Sequence, residues 1–454
     1  MRGAGCHPVQ RSTGQGRIQL PVPPGCPEHH RRRGGLHGGR RHPVADHPSR
    51  ARRRRWRRRP VHRHADAYLT AVQLQHLRIQ GFRNLTDVDW TPSAGFNVLH
   101  GPNGHGKTNL LEAIHFLSTL RSFRSFRNRE LLQDGIEEAK LLGAIDRAGR
   151  RRTLEVTIHP RARRVKVNES PVRRLSDFFG TLNTVVFTPE DVGMFRGSPS
   201  GRRLLLDRFI FNASPVWAEE VAAYESALRQ RNAVLKDERP DPALLEVFDV
   251  QVARTGAQVI ARRLHWVDIL RGRMAQAFAG IFDPHRQVDI AYVAEPELPS
   301  PGASSPGDLE AHLREALAGS RRRDLARGFT TVGPHRDDLQ ATIDGCDART
   351  HASQGQHRAL ILAFRIAEIR LLTEQHGHPP ILLLDDVTSE FDARRNERFF
   401  EELRRERGQV FITTTDPAWV PLDEPAAHWA LRDGRLYDEQ LHDNPSDPTN
   451  EAHS

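Results

Sequence analysis

Eight consecutive residues, Gly101-Pro102-Asn103-Gly104-His105-Gly106-Lys107-Thr108, have the types and spacing that cradle a phosphate chain. Gly101, Gly104 and Gly106 let a loop turn tightly and bring its N–H groups close to anionic oxygens. Lys107 can reach the β- and γ-phosphates, and the Thr108 hydroxyl can ligate Mg²⁺. The apolar run Phe96-Asn97-Val98-Leu99 precedes the loop, and Asn109–Ile114, with helical periodicity, follows it. Strand, turn and helix in that order add the positive end of a helix dipole to the loop amides. This stretch predicts a nucleoside triphosphate site.

A second group of chemically able residues comes late in the chain. Pro380-Ile381-Leu382-Leu383-Leu384-Asp385-Asp386 reads as a buried strand ending in two carboxylates. Beside a phosphate-binding loop, Asp385 is assigned to the Mg²⁺ shell and Asp386 to the attacking water, with Lys107 as the other catalytic group. On its own, such a pair has a lesser alternative reading as a helix cap after a core strand. Between the two groups lies Ser353-Gln354-Gly355-Gln356, directly before a long helical run from Ala359. Ser353 suits an N-cap, and Gly355 leaves the first amides open to an anion.

These groups need elements to position them. Leu74, Leu77, Ile79 and Phe82 open a strand-rich region that begins near Val72, and residues 138–168 alternate in a β pattern. Val185-Val186-Phe187 reads as a short buried strand, and Gly197–Asp207 as a capped turn opening a helix. From 201 to about 280 the period becomes helical, with Val221, Tyr224, Leu228 and Val234 on one helix and Val252, Val259, Ile260, Leu264 and Val267 on another. Two such helices in antiparallel order would make an arm packed on itself. A Pro/Gly/Ser-rich linker at 296–307 separates them from a helix near Leu309–Arg327. Arg121-Ser122-Phe123-Arg124-Ser125-Phe126-Arg127 interleaves cations and aromatics, which fits either a DNA contact or a surface turn with its rings packed inward.

Charge is unevenly placed. The 454-residue chain carries a formal +10, but residues 1–71 hold 17 Arg and 3 acids, which leaves the rest at −4. That Arg/Gly/Pro/His-rich leader cannot bury a core. It fits a basic arm for nucleic acid, a targeting peptide lacking the usual apolar core, or translation from an upstream start, and composition favours the last. Cys6 and Cys26 lie in it, so Cys346 alone remains in the body, which excludes a disulfide framework or Cys-based metal site there. With no apolar run of membrane length, a cytoplasmic protein is expected.

The order of P-loop, helical insertion, Ser-Gln-Gly-Gln, Leu-Leu-Leu-Asp-Asp and Ser389-Glu390-Phe391-Asp392 resembles an ABC-type ATPase head. Within that group the chain is similar to the RecF family of bacterial recombination mediators over about 72–437. Further stretches carry the likeness: Gly81-Phe82-Arg83-Asn84, Phe187-Thr188-Pro189-Glu190-Asp191, Gly197-Ser198-Pro199-Ser200 with Arg202-Arg203, and Gly333-Pro334-His335-Arg336-Asp337-Asp338-Leu339.

The resemblance implies an α/β fold: an ABC-type P-loop head with mixed β-sheets and an inserted helical arm domain. It places head halves at 72–200 and 328–437, the arm at 201–327, a disordered leader at 1–71 and a disordered tail at 438–454. A start at Val72 would fit, since RecF-type chains begin two residues before the leucine corresponding to Leu74. It also implies ATP and Mg²⁺ as cofactors and an ATP-dependent homodimer. There residues 101–108 would hold ATP in cis, while Ser353, Gly355 and Gln356 would cap the γ-phosphate in trans and Asp392 would lie in the crossing loop. Single-stranded or gapped DNA and RecO- and RecR-like mediators are the implied partners. The aspartate pair, where many ABC heads have Asp-Glu, implies slow turnover.

Some assignments stay open. Glu190, with Gln133 behind it, is the candidate for the glutamine-loop position, and Thr414 or Thr415 for γ-phosphate sensing. His105 reads as incidental. His335 and Arg336 could touch nucleotide or serve a structural carboxylate, with structure favoured, and Arg202 and Arg203 could form a solvated helix face or contact a DNA backbone. A transporter subunit would carry a Leu-Ser-Gly-Gly-Gln-like signature and no long arm, and an SMC relative would need longer heptads. A non-catalytic ATP-gated scaffold is the closest rival.

Overall fold

Alternation of apolar and polar residues from Val72 onward builds one antiparallel sheet, because every second side chain faces the same way. Its strands are β1 (Val72–Phe82), β2 (Leu85–Trp90), β4 (Ala139–Arg147), β5 (Arg150–Ile158), β6 (Arg163–Val167) and β7 (Ser170–Pro171), in the order β2-β1-β4-β5-β6-β7. The computed structural model describes residues 72–125, 127–298, 305–387, 393–420, 422 and 426–438. All belong to one unit, His64–Ser454. The leader 1–71, the tail from 439, and Ser389, Glu390, Phe391 and Asp392 lie outside the described residues, as do Phe126 and residues 299–304 of the linker.

A second sheet joins β3 (Phe96–His100), β8 (Thr184–Phe187), β12 (Ile381–Asp385), β13 (Val410–Thr414), β14 (Ala427–Arg432) and β15 (Arg435–Asp438) in the order β15-β14-β3-β13-β12-β8. All its pairings are parallel except β14 with β15. Its inner strands are apolar at nearly every position because both faces are covered. Ile381, Leu383 and Phe411 face one core with the antiparallel sheet, whereas Leu382, Leu384, Val410 and Ile412 face another with the helices.

Helix α1 (Lys107–Thr119) fills the space between the two sheets. Being enclosed, it is apolar nearly all round: Leu110, Leu111, Ala113, Ile114, Phe116 and Leu117 are all buried. His115 is buried with them, and its Nδ1 lies 2.9 Å from Thr184 Oγ1. Burial, then the charges of Arg208 and Arg365, pull its pKa from 6.5 down to about 3. The folded protein therefore stays unprotonated here in a range where the unfolded chain takes up a proton. This stability term is present above pH 6.5 and is lost as pH falls toward 3. In urea unfolding, His115→Asn should shrink the loss of stability between pH 7 and pH 5 by about 2 kcal/mol.

The second core is helical. It contains α2 (Pro199–Ala213), α3 (Trp217–Leu235), α4 (Pro242–Ile281), α5 (Pro306–Arg327) and α7 (Gln354–His376). Short α6 (Ala348–His351) precedes α7, and α8 (Ala393–Glu406) follows β12. Helices α3 and α4 run antiparallel, as Arg231–Asp249 and Glu220–Arg262 pair across them at opposite ends. Helix α5 packs antiparallel on α4 in turn: Arg321 pairs with Asp249, and Leu313 lies against Gly256.

The third sheet was not foreseen from the sequence. β9 (Val288–Val293) lies beyond the helical period that ends near 280, inside the arm read as 201–327, and pairs antiparallel with β10 (Asp338–Ile343), which also pairs with β11 (Cys346–Asp347). Among the described residues, no helix is long and apolar enough to cross a membrane.

Candidate nucleotide site

The loop 101–106 leaves the C-terminal end of β3 and enters α1 at Lys107. Two of its glycines meet close neighbours as well as a positive φ. Gly101 has φ 141°, and a Cβ there would lie 2.4 Å from the Leu431 carbonyl oxygen. Gly106 has φ 107°, and its Cβ would lie 2.7 Å from Asn84 Oδ1. At Gly101 a side chain would need the backbone to move; at Gly106 it would be strained by the positive φ and would push the Asn84 amide out of place. The N-terminus of α1 has no side-chain cap, so its first amides face the loop as an anion-binding end.

The loop is clamped from two sides by residues distant in sequence. Asn84, in the β1–β2 turn, donates from Nδ2 to Gly104 O at 3.0 Å and accepts from Asn109 Nδ2 at 2.8 Å. In the β14–β15 turn, the Asp433 N–H donates to His105 Nδ1 at 3.0 Å and the Gly434 N–H to His105 O at 3.1 Å. His105 is therefore not incidental: its ring and carbonyl hold the loop to the sheet edge. Arg83 grips the buried Glu112 of α1 with two hydrogen bonds of 3.0 and 2.8 Å.

Lys107 is nearly buried, and its Nζ donates to Gly101 O at 2.5 Å and Pro102 O at 3.0 Å, with Asn103 Oδ1 at 3.4 Å. Burial lowers its pKa, while the charges of Asp386 and Asp385 oppose that shift. Thr108 Oγ1 donates to Asp385 Oδ1 at 2.8 Å, bridging 277 positions of sequence. Thr413 Oγ1 donates to the same oxygen at 2.7 Å. Burial raises the Asp385 pKa; the two hydroxyl bonds and the Arg124 charge lower it, and the Glu190 charge adds to the rise. Asp386 sits in the left-handed region at φ 49°, its N–H donating to Thr413 Oγ1 at 3.0 Å and Thr413 O at 3.2 Å.

The structure thus brings together residues 101–108, Asp385 and Asp386. It does not bring Ser353, Gly355 and Gln356 to them. These begin α7 with a reciprocal cap, in which Ser353 Oγ accepts from the Gln356 N–H at 3.3 Å and Gln356 Oε1 from the Ser353 N–H at 2.7 Å. Of the glutamine-loop candidates, Glu190 is exposed in the turn after β8 and its charge reaches Asp385, whereas Gln133 Nε2 donates to Thr86 Oγ1 at 3.2 Å on the antiparallel sheet. The Thr414 hydroxyl is taken up by its own turn, donating to Asp416 O at 2.9 Å, and Thr415 is exposed.

Other sequence readings resolve structurally. Phe123 packs inward and Arg124 Nη1 donates to Asn109 Oδ1 at 2.8 Å, so this turn folds back along α1. Arg202 is no solvated face: it is buried, with two bonds of 2.8 and 2.6 Å to Asp338, and Arg203 Nη1 donates to Asp337 O at 2.5 Å. His335 lies between Tyr224 Oη (2.6 Å) and Thr330 O (3.1 Å). Burial takes its pKa down to about 4. Reasoning from sequence missed Thr413, Asn84 and Asp433; only the turn glycine Gly434 hinted at the last.

A parallel sheet carrying a P-loop at the end of β3 and a carboxylate at the end of β12 defines a P-loop nucleotide-binding head, and the matches that follow make it the ABC type. The model of the RecF/RecN/SMC N terminal domain matches residues 73–423. The DNA replication and repair protein RecF of Geobacter sulfurreducens is 39% identical over 364 residues, covering 80% of this chain and 98% of that protein. That of Myxococcus xanthus is 40% identical over 353 residues, covering 77% and 92%. A solved structure of the recombination mediator protein RecF with ATP, in the RecFOR pathway, superposes with a TM-score of 0.73 at 31% identity, covering 81% of this chain and 99% of that one. The chain belongs to the RecF family.

Proposed function

We propose that this protein is an ATP-dependent DNA-binding protein of recombinational repair and replication restart. Residues 101–108 would hold ATP, and two such heads would close on it with Ser353, Gly355 and Gln356 of the second capping the γ-phosphate. The observation that carries this is the Thr108–Asp385 hydrogen bond beside the buried Lys107. Ser353, exposed at the start of α7 and bonded there to Gln356, suits a contact made in trans. Head halves at 72–200 and 328–437 with an arm at 201–327 complete the reading. DNA would be single-stranded or gapped, and RecO- and RecR-like proteins the partners.

Mg²⁺ suits the donor set. Thr108 Oγ1 and Asp385 Oδ1 are hard oxygens at touching distance, and no cluster of three or more His, Cys, Asp or Glu ligands exists among the described residues. An ion with a small protein share, completed by phosphate and water, is what Mg²⁺ prefers. Bound there, it would neutralise developing phosphate charge. Thr413 holds the Asp385 carboxylate in place, Lys107 would add a positive charge, and Asp386 would orient the attacking water. Hydrolysis would be slow and would reset the dimer. Single-turnover hydrolysis by Asp386→Asn tests that role. A rate at least about tenfold below the parent supports it; an equal rate removes Asp386 from catalysis.

The clamp gives a further prediction. Asn84→Ala removes two hydrogen bonds to the loop and its helix, and should weaken ATP binding about five- to tenfold. Titration with a fluorescent ATP analogue reads it out, and unchanged affinity would remove Asn84 from the site.

A further inference from the structure

At the β4–β5 turn, far from the P-loop, the chain places positive charge where folding alone disfavours it. Arg147 and Arg150 are direct cross-strand partners, and Ile145 pairs with Arg152 two positions on, so all three arginines share one face of the hairpin. Like charges directly opposite each other destabilise a sheet. Together with Thr181 they line a cavity of about 410 Å³, whose wall of Ile145, Arg147, Ala148, Arg150, Arg152 and Thr181 contains no carboxylate.

Among the described residues these guanidiniums are poorly used. Arg147 donates to His376 O at 3.4 Å and Arg152 to Thr181 Oγ1 at 3.5 Å, both long, and the Arg150 side chain has no partner among the described residues. None of the three forms an ion pair with a described carboxylate, whereas Arg78, Arg83 and Arg286 all do. His378, which feels the Arg147 charge, is buried with Nε2 lacking a hydrogen-bond partner.

We propose that this cavity is a binding site for a phosphoryl group, carried by a nucleic-acid backbone or by free phosphate. One guanidinium fork satisfies the two oxygens of a carboxylate. Three forks and a hydroxyl match the three or four oxygens of a phosphate instead. The cavity leaves room for a group attached to it. Its ligand is not the P-loop nucleotide. Thr181 precedes β8 at the N-terminal end of the parallel sheet, while Asp385 and the loop 101–106 lie at the C-terminal end. The site is therefore independent of the ATP reading.

The test uses the full chain and its Arg150→Gln/Arg152→Gln variant. Single-stranded DNA binding is followed by anisotropy over a salt series, and inorganic phosphate binding by calorimetry. Uptake at the P-loop is common to both proteins and cancels. Thermal melting reports folding, and relief of like charge should leave it unchanged or higher. If the backbone is the ligand, the variant binds DNA at least about fivefold more weakly and its salt slope falls by about one or more. If free phosphate is the ligand, the variant loses phosphate binding and keeps its DNA affinity. Either result supports the site. Unchanged binding of both overturns it. So does a polyglutamate peptide that binds the parent and not the variant while DNA and phosphate binding hold, since the cavity would then serve an acidic protein.

Discussion

Lys107→Met is expected to bind ATP at least about 100-fold more weakly than the parent protein. The reason lies in where the ammonium is held. Its Nζ is poised over the loop carbonyls of Gly101 and Pro102, within the field of both Asp385 and Asp386. Bound ATP would exchange the loop carbonyls for phosphate oxygens, turning neutral acceptors into charged ones that are worth roughly twice as much each. Methionine fills the stem's space and leaves the phosphate charge without a counter-ion. Titration with a fluorescent ATP analogue measures the loss, and an affinity within threefold of the parent would mean that the loop does not hold a triphosphate in this way.

The second large effect is on stability. Arg365, buried in the middle of α7, donates to Asp191 Oδ2 and to Glu368 Oε2, each at 2.7 Å. Asp191 in turn caps the Thr188-Pro189-Glu190 turn, accepting from the Thr188 N–H at 3.1 Å. The same guanidinium thus ties α7 to the turn that carries Glu190. Its pKa stays high because the attraction of Asp191 and Glu368 outweighs burial, the largest opposing cause. Arg365→Met strands two buried carboxylates and should cost about 3–5 kcal/mol in equilibrium urea unfolding. A loss below 1 kcal/mol would show that the neighbouring Arg208 takes over the pairing.

How much of this was legible depends on how local each feature is. The P-loop could be read directly because its strand, turn and helix are consecutive. Asp385 could be read because a five-residue apolar strand ending in an acid has few other meanings beside a P-loop. The clamp could not. Asn84 and Gly104 are 20 positions apart and His105 and Asp433 are 328 apart, so only the packing of three sheet segments around the loop reveals them. Thr413 escaped notice because a threonine ending a buried strand looks like β propensity, and only the pairing of β13 with β12 sets its hydroxyl against Asp385. Arg202 looked like a surface cation in its helix, and its partner Asp338 is 136 positions away. Strand β9 was missed for a related reason: six residues between long helices carry little pattern until β10 pairs with them.

In the proposed function, ATP closes two heads on each other. Light scattering of the full chain tests it most directly, with Mg²⁺ present throughout and ATP added or withheld. The account predicts that the mass doubles with ATP, and that Lys107→Met and Ser353→Arg each keep it at one chain, the first by losing the nucleotide and the second by blocking its cap. A mass that ignores ATP, or a dimer that forms equally well in both variants, would contradict it.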